Sequence, residues 1–467
     1  SKGNFGRAYS RDMKYAAARY TEVKLEPICE LLFKDIDKDA VDFTDNFDST
    51  TQEPVLLPSA FPNILVNPNQ GIAVGMASNI CSFNLAEVCD AIIAYIREDA
   101  IDWLKYLPAP DFSTGGQIIV SDHELRRIYA TGRGSFKMRS KYRVDKKNNC
   151  IEVFDIPYTT TTEGIIEEIT KIVKDGKIRD INDVRDETDL SGLTLTIDYR
   201  RSADPDALMQ KLFHMTSLQS SFACNFNLLI EGRPMVLGIG GIVDNWLKFR
   251  MDCIHRQCRY DIAKKGDRLH LLSGLAKILL DIDKAIRIIR ETETESQVLP
   301  NLMNAFGIDK VQAEYVADIR LRNLNREYIL RQTADIATLE KEILDLKDIL
   351  AHESRVLAII CDQLAEIKKA YGMPRRSELL HETHVEEITD DHLIEDYNLK
   401  LFLTQHGYLK KVALTSLRSA NDHKLKEEDA IVQEVESHNK ADLLLFTNRQ
   451  VVYKLRIHEV PDAKASS

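Results

Sequence analysis

"IATLEKEILDLKDILAHESRVLAIICDQLAEIKKAYG", residues 336–372, sets Ile336, Leu339, Ile343, Leu346, Leu350, Leu357, Ile360, Leu364, Ile367 and Tyr371 at alternating steps of three and four, with Glu353 in the one polar position of the series. That is a heptad seam over five repeats. Gly372 and Pro374 end it, since glycine terminates helices easily and proline cannot continue one. A second seam of the same period, Leu269, Leu272, Ala276, Leu279, Ile282, Ile286 and Ile289, lies in the helical stretch 242–291. At about 1.5 Å per residue each helix spans roughly 70 Å, so the two predict a long antiparallel coiled coil protruding from a body. The 292–323 segment between them is too long for a turn and predicts a small globular tip, a natural place for two copies to meet; a rigid spacer is the plainer alternative.

Upstream the period changes. Between about 117 and 240, β-type runs ("QIIVSD", "SFKMRSKYRV", "CIEVFDIPY", "LTLTIDYR", "FNLLI") alternate with helical stretches at 163–175 and 205–214, which predicts an α+β domain with a mixed sheet. In "KMRSKYRV" the two-residue repeat of a strand sets Lys137, Arg139, Lys141 and Arg143 on one face. The segment 57–80 is rich in proline, glycine and asparagine and predicts a turn-rich piece whose backbone approaches something closely at Gly71 and Gly75. Residues 11–35 predict a helix, bent or restarted at Pro27. Downstream, after a polar linker, 399–414 and 442–460 each predict a hairpin, at a spacing of one propeller blade.

Charge and cysteine usage bound the function. The net charge of −11 argues against a nucleic-acid partner as a sum, but its distribution does not. Arg126, Arg127, Arg133, Lys137, Arg139, Lys141, Arg143, Lys146 and Lys147 face the single acid Asp145 between residues 126 and 147, and residues 1–20 are also basic. Two such tracts on an acidic chain predict local contact with a polyanion. No apolar run approaches the roughly 20 residues that span a bilayer, and "SKGNFGRAYS" lacks a signal-peptide core, so a cytoplasmic protein is expected. Eight scattered cysteines predict reduced, buried thiols. "CIHRQC" (253–258) has its cysteines on different faces of a helix, and the DxDxD run from Asp35 lacks the glycine and glutamate of a calcium loop; packing and a solvated turn are the expectations there.

One tyrosine stands out. In "RDMKYAAARYTEVKL" (11–25), Tyr20 follows an arginine and three alanines. By itself a helical tyrosine reads as a packing residue. Taken in order with "GNFG" (3–6), "FPNILVN" (61–67), "GIAVGMASNI" (71–80), "PAPDFSTGG" (108–116), "ATGRG" (130–134), "DIPY" (155–158), "VRDETDLSG" (184–192) and the coiled coil, however, it resembles the breakage–rejoining subunit of bacterial type IIA DNA topoisomerases over nearly the whole chain.

The resemblance implies an α+β, mainly α architecture: residues 1–58 as the C-terminal part of a winged-helix domain, 59–240 a tower domain, 241–375 the coiled coil with a C-gate dimerisation tip, 376–398 a linker, and 399–467 the first blade of a C-terminal DNA-binding pinwheel. It implies an N- and C-terminally truncated fragment, inactive by itself, with the fluoroquinolone-contact positions lying ahead of residue 1. Tyr20 matches the nucleophile that forms a 5′-phosphotyrosyl ester, and Arg19 the arginine that neutralises the scissile phosphate. Ile72 matches the residue wedged between base pairs. Arg133, Lys137, Arg139, Lys141 and Arg143 become phosphate contacts. No metal site is expected in this chain; Mg²⁺ and ATP belong, by the resemblance, to a separate ATPase/Toprim subunit that joins a homodimer of the breakage–rejoining chain into a heterotetramer on double-stranded DNA. The loop "SLRSANDHKLKEED" (416–429) lacks the basic, glycine-rich box of gyrase, which favours topoisomerase IV-like decatenation and relaxation over gyrase supercoiling. A non-catalytic, rod-bearing DNA-binding scaffold is the rival of another class.

Overall fold

In the computed structural model the described residues are 2–98, 100–189, 192–320, 326–384, 394, 396–417 and 428–463. They form an α+β protein of two compact units, Ser1–Lys141 with Asp155–Thr161 and Ser220–Leu380, and Tyr142–Phe154 with Thr162–Gln219 and His381–Ser467.

The first unit is built on a six-stranded sheet in the order Glu378–His381, Gln117–Val120, Arg133–Arg139, Gln219–Asn225, Met76–Ile80, Asn69–Ala73. Alternation sorts its faces. Phe136, Met138, Phe222 and Cys224 are buried, and the Phe136 and Phe222 rings stack at 5.4 Å, whereas Ser135, Lys137, Ser221 and Ala223 on the other face are exposed. The buried face joins one core with Val88 and Ile92 of helix Leu85–Arg97, Ile239 and Val243 of helix Ile239–Leu279, and Ile360, Leu364 and Ile367 of helix Glu353–Tyr371.

The 41-residue helix Ile239–Leu279, about 60 Å long at ~1.5 Å per residue, lies antiparallel to helix Arg326–Ala351: Lys265 pairs with Glu342 at 2.6 Å and Arg268 reaches Gln332 at 2.8 Å. The uninterrupted helix expected over 336–371 breaks at His352, whose backbone turns to φ −128°, ψ 105°. Beyond the break Val356, not Leu357, takes the fully buried position. Helices Ile282–Glu291, Glu295–Phe306 and Lys310–Ala317 close a separate small core with Leu272, Leu275 and Ile278 of the long helix.

In the second unit a four-stranded sheet runs Lys141–Asp145, Cys150–Asp155, Leu195–Tyr199, Ile181–Asp186, and helices Thr162–Lys174 and Pro205–Met215 bury Ile165, Ile169, Leu208 and Leu212. The β-rich stretch 117–240 therefore divides between these two sheets and a two-stranded hairpin, Asn227–Ile230 with Arg233–Val236. "INDVRD" (181–186), missed in the sequence, is an edge strand whose residues are mostly exposed and polar. Near the C-terminus, Leu409–Ala413, Asn398–Thr404 and Ile431–His438 form a three-stranded sheet, with a hairpin of Asp442–Phe446 and Val452–Arg456. Gly407 turns the first hairpin at φ +83°.

Two expectations are corrected. Residues 11–35 are not a helix but extended chain with 3-10 turns at Ala18–Tyr20 and Pro27–Leu31; Val23 and Leu25 are 77% and 71% exposed, and only Ile28, Leu31 and Leu32, from the second turn onward, pack against the main core. The linker expected over 376–398 is not free at its start. Arg375 pairs with Glu87 at 2.6 Å, the amides of Arg376 and Ser377 donate to Asp111 at 3.0 and 2.8 Å, and Glu378–His381 joins the sheet. Residues 385–393 and 395 lie outside the described residues.

Candidate functional site

Tyr20 ends a 3-10 turn and is 68% exposed. The turn is held from the N-terminal side by a ribbon of backbone: the Lys2 amide donates to the Glu22 carbonyl at 2.8 Å and the Glu22 amide to Lys2 at 2.9 Å. Asn4 locks the other end, its carbonyl accepting from the Ala16 amide at 2.9 Å while its side-chain oxygen accepts from the Gly6 amide at 2.8 Å. "GNFG" can run this close only as glycine. A Cβ on Gly3, at φ +104°, would stand 2.6 Å from the Tyr20 carbonyl oxygen, and one on Gly6 3.0 Å from the Met13 carbonyl. Thr21 secures the far side, its hydroxyl donating to the Ala18 carbonyl at 3.0 Å. The backbone at Tyr20 is thus fixed while the residue itself stands exposed.

The Arg19 guanidinium lies over the Tyr20 ring at 5.2 Å from its centroid, within cation–π range, and is exposed. Phenol and guanidinium together offer a nucleophile and a cation able to grip a phosphate in two-point fashion.

Ile72 lies on the antiparallel hairpin Asn69–Ala73/Met76–Ile80 and is 96% exposed, which overturns any packing role for it. Val74, two residues on at the turn, is 107% exposed and was missed; apolar residues two apart between the glycines of "GIAVG" were the available signal. Gly71 and Gly75 have open space around them, so the close approach expected there is not to this chain. Arg133 opens strand Arg133–Arg139 and is exposed. It follows Gly132, which caps the preceding helix in the left-handed region, with an added Cβ only 2.2 Å from the Leu237 carbonyl.

The four-residue basic face does not exist as read. The chain leaves one strand at Arg139 and enters another, in a different sheet, at Lys141. Lys137 is exposed, but Arg139 is buried, Lys141 is half-buried within 3.8 Å of Asp155 and 3.6 Å of Glu378, and Arg143 pairs with Glu152. Buried or paired cations have little charge left for a phosphate. Arg133 and Lys137 remain on the open face of their strand. Ile72 stands three strands away in the same sheet, roughly 14 Å at ~4.8 Å per strand.

The other motifs are absorbed by structure. Asp39 and Asp42 of the acidic run pair with Arg256 at 3.0 and 2.7 Å. Cys253 packs with Ala40 and Val41, and Cys258 enters the main core; burial pushes both thiols up, Cys253 to about 11. Among the described residues no three His, Cys, Asp or Glu side chains are placed to hold a metal ion, and Glu22, the acid nearest Tyr20 in sequence, is an exposed partner of Lys2. The described residues therefore offer no cluster that would hold a resident Mg²⁺. Nor is any described helix long and apolar enough to cross a membrane.

Residues 1–365 match the family described as the A subunit of DNA gyrase/topoisomerase IV, and the chain belongs to that family. Among its relatives are the DNA gyrase A subunits of Clostridium acetobutylicum (37% identical, 99% of this chain and 56% of the relative), Synechocystis sp. (35%, 100% and 56%) and Staphylococcus aureus strain MRSA252 (35%, 100% and 54%). The chain spans about half the length of these curated relatives.

Proposed function

We propose that the chain carries the DNA-breaking and rejoining chemistry of a type IIA topoisomerase, with Tyr20 as nucleophile. The Tyr20 oxygen attacks the scissile phosphorus, the bond from phosphorus to the 3′ oxygen breaks, and the 3′ oxygen leaves as a hydroxyl once protonated. The products are a 5′-phosphotyrosyl ester and a free 3′ end. A phenol of pKa about 10 is a fair leaving group, so the ester keeps the energy for the reverse attack that reseals the strand. Arg19 neutralises charge on the phosphate as the transition state forms. Ile72, with Val74 beside it, wedges a base step; Arg133 and Lys137 hold phosphates over the small side chains Ser135, Ser221 and Ala223, which let a duplex come close.

In this reading Mg²⁺ and ATP are supplied by a partner subunit carrying the ATPase, and two copies of this chain form the gate, meeting through the tip at 282–317. Residues 1–58 form the C-terminal part of the winged-helix domain, 241–375 the coiled coil, and 399–467 a first DNA-binding blade. The enzyme works on chromosomal DNA in the cytoplasm.

The observation that carries the proposal is the solvent-standing Tyr20 ring with Arg19 across it. In the full-length protein reconstituted with its ATPase partner, Tyr20→Phe is expected to abolish covalent protein–DNA adducts while leaving duplex affinity within about twofold. Adducts that persist would remove Tyr20 from the role, and a wild-type protein that forms none would favour the non-catalytic scaffold.

The missing basic box in 416–429 supports decatenation and relaxation, although 418–427 lie outside the described residues; the gyrase names of the relatives support supercoiling. Relaxed and catenated circles offered to the same holoenzyme separate the two, and ATP-driven negative supercoiling would assign it to gyrase.

A further inference from the structure

The hairpin that carries Ile72 is joined to the rest of its sheet by side chains where backbone would be expected. Its outer strand, Asn69–Ala73, is exposed at every residue and forms the sheet edge, so the inner strand, Met76–Ile80, carries the attachment. That strand meets Gln219–Asn225 at the pair Asn79–Asn225. Continued by two residues, the antiparallel register would set residue 227 opposite Ala77. The chain turns away instead. The Phe226 amide donates to the Gly132 carbonyl at 2.8 Å, and Asn227 opens a separate hairpin, pairing with Val236.

Three asparagine amides take the place of the ladder. The Asn79 side chain donates to the Ala223 carbonyl at 2.5 Å, and those of Asn225 and Asn227 both donate to the Ala77 carbonyl, at 2.7 and 3.1 Å. A primary amide offers the same N–H donor as a peptide group, so the Ala77 carbonyl is satisfied without a neighbouring strand. The place matters, because Ala77 is the residue directly opposite Ile72 across the hairpin. The exposed isoleucine therefore stands on the point that two asparagines grip.

We propose that Asn79, Asn225 and Asn227 are positioning residues for the wedge, holding the Ile72 hairpin against the load of unstacking a base step. The proposal rests on the reading of Ile72 as the residue that enters the duplex. An apolar wedge parts two bases only if its support does not give; a hairpin free to tilt would relieve the load without bending the DNA. Here the support is a set of side-chain hydrogen bonds, each removable without touching Ile72, Tyr20 or the cations assigned to phosphates.

The test measures bending by energy transfer between the ends of a labelled duplex bound to the full-length protein with its partner subunit. Ile72→Ala, Asn79→Ala, Asn227→Ala, Asn225→Ala/Asn227→Ala and the last combined with Ile72→Ala are compared at saturating DNA. A hydrogen bond of ordinary strength shifts an equilibrium about fivefold, so the ratio of bent to straight complex should fall about fivefold in each asparagine single variant and on the order of twentyfold in the double. Thermal melting and duplex affinity should barely move. The triple variant should bend DNA no less than Ile72→Ala does. Duplexes with one mismatch stepped along the site are cheaper to unstack at that step, and one of them should restore bending to the asparagine variants, which a loss of fold would not allow. Full bending in the double variant beside reduced bending in Ile72→Ala overturns the proposal and leaves the wedge reading standing. Bending that no mismatch restores, or losses that add in the triple variant, also overturn it. Unchanged bending in Ile72→Ala removes the wedge reading itself, and the proposal with it.

Discussion

At Gly3 a single added methyl would meet two things at once, the Tyr20 carbonyl oxygen at 2.6 Å and Thr21 Cγ2 at 2.9 Å, on a backbone at φ +104°. Neither obstacle is the free end of a long side chain, so the loop carrying Tyr20 has to shift. Gly3→Ala is expected to slow covalent adduct formation at saturating DNA at least tenfold while duplex affinity stays within about twofold, because a misplacement of about 1 Å can cost on the order of a hundredfold in rate. Gly176→Ala controls for backbone strain: it sits at φ +74° with nothing within 4 Å and should leave the adduct rate alone. The reading of Tyr20 as a nucleophile came only from the order of the motifs around it. Its neighbours Arg19 and Gly3 could be quoted, but that Gly3 touches the tyrosine's own carbonyl could not, since the contact closes a loop whose path no periodicity describes. The basic strand failed for the opposite reason: two-residue alternation is a sound rule within a strand, and it says nothing of Ser140, where one strand ends and the next begins.

Two glycines of the long helix Ile239–Leu279 separate helix propensity from helix packing. Gly274 lies where helix Lys310–Ala317 crosses; a Cβ there would come within 2.7 Å of Gln312 Cβ and Cγ, and Gln312 is pinned by its own bond to the His270 carbonyl at 2.7 Å. Gly266 has nothing within 4 Å. Alanine is favoured over glycine inside a helix by up to about 1 kcal/mol, and overpacking costs about 1–3 kcal/mol. Gly266→Ala should therefore raise the melting temperature and Gly274→Ala lower it, a difference in sign readable by calorimetry. If both raise it, the helix crossing at Gly274 is looser than described. The heptads predicted long helices because that period is written locally, but both stretches break: the first helix ends at Leu279, leaving Ile282, Ile286 and Ile289 in the separate helix Ile282–Glu291, and His352 breaks the second, where Glu353, the polar residue in the series, marked the place.

Closure of the first unit depends on residues far apart in sequence. Asp111 of "PAPDFSTGG" accepts from the Arg376 and Ser377 amides and from the Asn84 side chain at 3.1 Å, and the Ser377 hydroxyl accepts from the Phe112 amide at 2.9 Å. These bonds turn the supposed linker into a strap that returns the chain from the stalk to the sheet. Asp111→Asn removes the charge and an acceptor site. Bonds to charged groups contribute about 1.5–3 kcal/mol, so the amides of Arg376 and Ser377 should exchange with solvent on the order of tenfold to a hundredfold faster, measured by hydrogen exchange. Protection unchanged in the variant would show that the strand Glu378–His381 holds the strap without Asp111.

The sequence by itself determined the α+β class, the two long helices, most of the strands, and, through the order of its motifs, the family. Those features follow from residue spacing or from motif identity and need no knowledge of partners. Only the tertiary structure decided that the stretch carrying Tyr20 is a loop held by Gly3 and Asn4, that Ile72 stands out with Val74 beside it, and that the basic tract is split between two sheets. Each of these depends on which distant segment lies alongside, and hydrogen bonds and close packing between distant segments leave no period in the chain.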